Sequence, residues 1–103
     1  MNGSAAIVDI LKQEGTEFVA CFPANPLIEA AAAADLRVIT PRTERTVTNL
    51  ADGYSRVHNG KRIGVCLFQS GPGIQNAYVG VVQAYADSSP VLVLPYGASR
   101  SRA

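Results

Sequence analysis

An excess of charge of either sign is missing from this chain, and with it the simplest signals of a polyanionic or lipid partner. Nine Lys and Arg stand against eight Asp and Glu, a net charge of +1 over 103 residues. There is no basic stripe and no acidic tail, so neither nucleic acid nor a membrane surface is indicated. Cysteine is scarce as well. Cys21 and Cys66 have no second cysteine or histidine near either, which excludes the spacing of a metal knuckle or a redox pair; they read as buried thiols of a reducing compartment. No apolar run approaches the ~18 residues that a membrane span needs, and MNGSAAIVDILKQEG carries no basic leader before its apolar part, so a cytoplasmic location is expected. With 48% hydrophobic residues, a chain of this length supports one core and buries roughly two-thirds of its unfolded surface.

What is present is organised around Arg62–Tyr85. Ile63, Val65, Cys66, Leu67 and Phe68 form a short unbroken apolar run, the pattern of a strand covered on both faces. After Ser70-Gly71-Pro72-Gly73 the apolar residues fall at Ile74, Ala77, Tyr78, Val81, Val82 and Tyr85, the spacing of one buried helix face. Strand, tight turn and helix leave the first helical N–H groups without intrahelical partners, and glycines let a ligand approach the backbone.

The rest of the chain repeats this alternation. Ser4 is expected to cap a first helix with Ile7, Val8, Ile10 and Leu11 on its apolar face and Gly15 closing it. Glu17–Cys21 reads as the first strand. Asn25 and Pro26 suit the N-cap and first position of a second helix, Leu27–Ala34, whose five alanines favour close packing. Leu36–Ile39 is the second strand and Thr40–Thr43 a loop. Val47, Leu50, Ala51, Tyr54 and Val57 mark a third helix from Glu44 to the turn His58-Asn59-Gly60. Ser89-Pro90 precedes a last strand, Val91–Leu94; residues 1–97 form the domain and 98–103 a small basic tail.

Four helix–strand alternations with short connections predict an α/β fold, a doubly wound parallel sheet of about four strands. Ligands of such sheets sit beyond the carboxyl ends of the strands, here the loops Phe22–Asn25, Thr40–Glu44 and Gln69–Gly73. A Rossmann dinucleotide site is disfavoured: Gly-Pro-Gly is not Gly-x-Gly-x-x-Gly, and no acidic residue ends the next strand.

Three motifs in order carry a resemblance: Arg-x-Glu followed by Ala-Asp-Gly-Tyr-x-Arg, then Ser-Gly-Pro-Gly-x-x-Asn, then Ala-Asp-Ser-x-Pro before the last strand. From Gly15 to Gly97 the chain resembles the N-terminal pyrimidine-binding domain of thiamine-diphosphate-dependent enzymes of the acetolactate synthase and 2-oxo-acid decarboxylase type. The resemblance implies thiamine diphosphate as cofactor and gives Glu44 the catalytic role. In the family, a glutamate at that place hydrogen-bonds the aminopyrimidine ring and promotes the imino tautomer that deprotonates the thiazolium carbon. Such a bond shifts a tautomer effectively only where water does not compete. The resemblance also places Pro23, Ser70, Gly71, Gly73 and Asn76 beside the cofactor, and Asn25 near the substrate.

Each residue has a plainer reading. An acidic residue in a first helical turn complements the helix dipole by about 0.3–1 kcal/mol. The glycines serve any strand-to-helix turn, Asn25 caps a helix, and His58 is a solvated helix-end residue. The four tyrosines mostly fall at helical core spacing, and Arg42 and Arg45 either neutralise Glu44 or stand exposed.

The sequence also departs from the family. Cys21 and Ala24 stand where glycines are usual, and Thr43 where a histidine is common. The family's domain continues past the position of Gly97, and the metal-binding Gly-Asp-Gly motif of the diphosphate-binding domain does not occur here. Mg2+ is therefore expected to be held by a domain outside this chain, and a diphosphate-binding domain or subunit, in a homo- or hetero-oligomer, is the expected partner. The alternative is a non-catalytic interaction domain that keeps the fold and associates through an exposed sheet edge or its helices.

Overall fold

The computed structural model describes residues 2–22, 25–69 and 71–97. Four helices alternate with four strands: α1 (Gly3–Gln13), β1 (Phe18–Phe22), α2 (Asn25–Ala33), β2 (Arg37–Ile39), α3 (Glu44–Val57), β3 (Gly64–Gln69), α4 (Pro72–Ala86) and β4 (Val91–Tyr96). The strands form one parallel sheet in the order β2-β1-β3-β4. This is the doubly wound α/β arrangement that the alternation predicts. From the central β1–β3 pair the connections leave in opposite directions, to β2 through α2 and to β4 through α4. The crevice at the carboxyl ends of β1 and β3 is thus the switch point of the sheet.

Side chains alternate across the two central strands and build two cores. Val19 and Cys21 of β1 with Val65 and Leu67 of β3 pack against Val8 and Leu11 of α1 and Leu27 and Ala31 of α2. On the opposite face Ala20, Cys66 and Phe68 meet Val47 and Ala51 of α3 and Ala77 of α4. Because β3 is covered on both sides, Val65 to Phe68 can be apolar without a break. Both cysteines are fully buried. Burial in apolar surroundings pushes the Cys66 thiol up to about 12 and raises that of Cys21.

Helix ends repeat one device. A backbone N–H reaches the carbonyl five residues back at Thr16→Leu11, Leu36→Ala31, Gly60→Ser55 and Ser89→Ala84, the longer bond of a Schellman cap. The residue just before each donor has positive φ: Gly15, Asp35, Asn59 and Ser88.

Several expectations are corrected. The first helix is capped by Asn2, whose Oδ1 accepts from the Ala5 N–H at 2.9 Å; Ser4 lies inside the helix. Asn25 is the first residue of α2 and does not precede it. Ile63 lies outside β3 and is about half exposed, because the strand starts at Gly64. There a Cβ would fall 2.0 Å from the Ala51 carbonyl oxygen, so only glycine lets β3 pass under α3. His58 is half-buried at the end of α3, with its Nδ1 2.8 Å from the Tyr54 carbonyl oxygen and its ring against that of Tyr54.

The largest correction concerns α4. It buries Gly73, Ala77, Gly80 and Ala84, while Ile74, Tyr78, Val79, Val82 and Tyr85 are exposed. A Cβ at Gly80 would stand 2.7 Å from Thr48 Cβ and 3.1 Å from Asn49 Oδ1. Close approach of α4 to α3 selects the small face for the inside and turns the bulky one outward. Tyr78, Tyr85 and Tyr96 are exposed, and only Tyr54 is partly covered.

Candidate functional site

Thr43 sets the geometry at the start of α3. Its extended backbone ends the loop after β2, and its Oγ1 accepts the Thr46 N–H at 3.2 Å, capping the helix and fixing Glu44 as the first helical residue. Thr48, fully buried one turn on, donates its hydroxyl to the Glu44 carbonyl at 3.0 Å. Since α3 packs on β1 and β3, its N-terminus emerges at the switch point.

Glu44 is only 9% exposed. Its carboxylate lies between α3 and the first turns of α4. Oε1 accepts from Asn76 Nδ2 at 3.1 Å. On the other side is Gly73, where a Cβ would stand 3.7 Å from Oε2 and 3.1 Å from Gln69 Cβ. The bare Cα of Gly73 therefore keeps a small space open beside Oε2, which takes no hydrogen bond from the described residues. Gly71 precedes α4 with φ 66° and ψ −120°, a conformation that glycine adopts without strain.

The fold thus brings Glu44, Gly73 and Asn76 together at the carboxyl end of the sheet, with Gly71 at the adjoining turn. Pro23 and Ser70 lie outside the described residues, as does the Asn25 side chain. Arg42 and Arg45 are exposed, and no ion pair joins either to Glu44 among the described residues. The carboxylate is held by an amide, not neutralised by a cation.

Residues that sequence spacing did not single out complete the frame. Asp52, two turns beyond Glu44 and buried, pairs with Arg56 at 2.8 Å, and Arg56 reaches Asp87 at the end of α4 at 2.9 Å. That bridge ties together the far ends of the two helices whose near ends carry Glu44 and Asn76. The Arg56 guanidinium holds the Asp52 carboxyl below the usual carboxylate range. Gln69 walls the space beside Gly73, and Ser55 donates to the Ala51 carbonyl while accepting the Gly64 N–H at 2.8 Å. The signal for this frame lay in the quoted motifs themselves: Asp52 and Arg56 are an i,i+4 pair within Ala-Asp-Gly-Tyr-x-Arg, and Asp87 stands in Ala-Asp-Ser-x-Pro.

A doubly wound domain with a sequestered carboxylate at its switch point belongs among the α/β cofactor-binding domains. The family model described as thiamine pyrophosphate enzyme, N-terminal TPP binding domain, matches residues 1–103, and the chain belongs to that family. It is 38% identical over 97 residues to a probable acetolactate synthase large subunit of Methanocaldococcus jannaschii, covering 91% of this chain and 16% of that one. With the acetolactate synthase large subunit of Haemophilus influenzae it shares 34% identity over 98 residues, 91% of this chain and 17% of the relative. The benzoylformate decarboxylase structure from Polynucleobacter necessarius superposes with a TM-score of 0.81 at 20% identity, over 98% of this chain and 19% of that one. The chain therefore spans about one-sixth of the length of these relatives, and the last comparison concerns the fold alone. The family implies thiamine diphosphate as the cofactor. Among the described residues no helix is long and apolar enough to cross a membrane, and no cluster of His, Cys, Asp or Glu could hold a metal ion.

Proposed function

We propose that this chain is the pyrimidine-binding portion of a thiamine-diphosphate-dependent enzyme acting on 2-oxo acids, as a decarboxylase or carboligase, completed by a partner chain or a further domain. The observation that carries the reading is the Glu44 carboxylate, shielded from water, with one oxygen held by Asn76 and the other facing the space at Gly73. These residues are compatible with a flat heterocycle: Gly73 presents no side chain beside the carboxylate, and Oε2 can share a proton with a ring nitrogen. When bound, the cofactor supplies the acidic thiazolium carbon that adds to the carbonyl of a 2-oxo acid. The chain's own part is to exclude water, orient the carboxyl group and hold the proton at Glu44 Oε2. Glu44 is the proposed catalytic residue; Gly71, Gly73 and Asn76, with Pro23 and Ser70, are the proposed cofactor contacts, and Asn25 a substrate contact.

A ring held without its charged diphosphate is a weak ligand, because phosphates and Mg2+ normally supply much of the binding. The proposal therefore includes a diphosphate-binding domain or subunit that holds the Mg2+. Calorimetric titration of the chain alone with thiamine diphosphate and Mg2+ is expected to show no saturable binding at micromolar concentration, whereas addition of a diphosphate-binding domain restores it. Tight stoichiometric binding by the chain alone would contradict the need for a partner. In the completed assembly Glu44→Gln should abolish 2-oxo-acid turnover with assembly intact; unchanged turnover would remove Glu44 from the chemistry. The competing reading, a non-catalytic interaction domain, draws on the edge position of β4. It predicts that no assembly containing this chain turns over a 2-oxo acid.

A further inference from the structure

Two of the five asparagines are followed by glycine, in Asn2-Gly3 and Asn59-Gly60. The pairing matters chemically, because the backbone nitrogen after an asparagine can attack the side-chain carbonyl carbon, and a glycine puts no Cβ in its way. Both asparagines are exposed, yet their neighbouring nitrogens are in opposite situations. His58-Asn59-Gly60-Lys61 is a tight turn with left-handed φ at both central residues, 53° and 71°. The Gly60 N–H is held by the Ser55 carbonyl at 2.9 Å, and the Lys61 N–H closes the turn onto the His58 carbonyl at 3.0 Å. Asn2 is extended, with φ −91° and ψ 175°. The Gly3 N–H heads α1, with no earlier turn to accept it and no other partner among the described residues.

We propose that Asn2 and Asn59 are sites of spontaneous amide-to-acid conversion, and that the turn after α3 keeps Asn59 inert until it opens, while Asn2 reacts in the folded chain. Water is the only co-reactant. A base in the solvent removes the glycine N–H proton, the nitrogen bonds to the asparagine Cγ, and the side-chain nitrogen leaves with a proton as ammonia, closing a five-membered imide. Water then opens the ring at either carbonyl. Opening at Cγ returns an ordinary main chain bearing aspartate; opening at the backbone carbon gives isoaspartate, whose main chain runs through Cβ and is one carbon longer. Nothing is oxidised or reduced. At Asn59 the proton that must leave is the one held by Ser55, and a left-handed backbone, with ψ near about +47°, sets the nitrogen anti to the Asn59 Cβ. The extended backbone at Asn2 leaves it gauche. The products also differ in consequence. Aspartate at position 2 can still accept the Ala5 N–H and adds a negative charge to a first turn that has no acidic residue. Isoaspartate at position 59 lengthens the main chain inside the cap of α3, so the Gly60 to Ser55 bond is not restored as it was. Conversion at Asn59 therefore marks chains that have opened between α3 and β3.

Trypsin separates the two sites, since cleavage after Lys12, Arg56 and Lys61 places Asn2 and Asn59 on different peptides. Mass spectrometry of those peptides after incubation in mildly alkaline buffer counts total conversion, and enzymatic methylation of isoaspartate counts the rearranged product. In urea that unfolds the chain, both sites should convert at similar rates. In the folded chain Asn2 should stay close to its urea rate, while Asn59 slows by about tenfold or more, because a locally stable turn must open first. Hydrogen exchange should find the Gly60 amide protected as well, since both reactions wait for the same N–H. Asn59→Gly, which keeps the left-handed turn and removes the amide, should leave the second peptide unchanged in mass under either condition. Conversion of Asn59 in the folded chain at its urea rate, an unprotected Gly60 amide, or an Asn2 slowed as much as Asn59 would overturn the assignment. So would the absence of conversion at either site in urea.

Discussion

Asn76 donates its side-chain amide to Glu44 across 32 residues of sequence, at 3.1 Å. The contact exists because α3 and α4 both begin at the carboxyl end of the sheet and pack side by side through Gly80 and Thr48. An amide donor fixes one oxygen of the carboxylate without the permanent charge a lysine or arginine would bring.

Removing that donor should cost little stability but loosen the site. Asn76→Ala is expected to lower the unfolding free energy by about 1 kcal/mol, the ordinary worth of one partly exposed hydrogen bond. Asn76→Asp should cost more at pH 7, because two carboxylates would then face each other, and should recover toward the alanine value in acid, where that repulsion is relieved. Urea denaturation of the three proteins at pH 7 and pH 4 checks both statements. Equal stability of Asn76→Ala and Asn76→Asp at pH 7 would mean that the contact is absent in solution.

Gly64 offers a harsher test of the frame. A Cβ there would lie 2.0 Å from the Ala51 carbonyl oxygen and 2.6 Å from its carbon, and backbone cannot swing aside as a side chain does. Gly64→Ala should therefore cost about 3 kcal/mol or more, at the upper end of overpacking effects. It should also shift the amide resonances of α3 as far as Glu44. Gly53, with nothing within 4 Å of a Cβ, is the control: its alanine variant should be neutral or slightly stabilising through helix propensity. Thermal melts of the two variants decide.

Much of the fold could be read from residue patterns, and α3 shows why. Val47 and Ala51 bury on the expected face, Glu44 opens the helix and His58 closes it, because a periodic apolar stripe acts locally. The order and spacing of the three motifs set Glu44 and the Gly-Pro-Gly turn at strand ends, and the fold brings Glu44 beside Gly73. For α4, hydrophobicity was misleading. Which side of that helix turns inward is decided by how near α3 comes, a tertiary distance set by Gly80 against Thr48, and no local period reports it. Periodicity scores Tyr78 and Tyr85 as core residues; the packing leaves them outside. The Asn76–Glu44 hydrogen bond was equally hidden, since it requires knowing that the two helix starts are neighbours.

Acid should act on the Asp52–Arg56–Asp87 bridge before it dissolves the core. Asp52 has its carboxyl held below the usual range by the Arg56 guanidinium, so its contribution to stability is present above the unfolded-state value of about 3.9. It is lost as pH falls through the lower folded-state value. Asp52→Asn should accordingly be less stable than the parent by about 1 kcal/mol at pH 7, a figure discounted because Arg56 is partly solvated. The gap should narrow as pH falls below the unfolded-state value of about 3.9. A difference that stays constant from pH 7 to pH 2.5 would assign the loss to packing and not to charge.

Ser88 holds a conformation for which it is poorly suited. It stands at the end of α4 with φ 56°, where Ser89 closes the helix by donating its N–H to the Ala84 carbonyl at 2.8 Å. Gly15 performs the same service for α1 with no Cβ to clash, whereas a left-handed residue bearing a side chain costs about 1–2 kcal/mol. Ser88→Gly relieves that strain and surrenders some of the gain to the greater freedom of glycine in the unfolded chain. The expected result is a net stabilisation of about 0.5–1 kcal/mol. Because Ser88 is exposed, no packing is lost to obscure it. Asp35, at φ 59° after α2, should respond in the same direction, and the two effects should add, since the sites share no contacts. Urea unfolding of both single variants and the pair measures this; a destabilised Ser88→Gly would show that the serine side chain holds the turn and that its strained backbone is compensated locally.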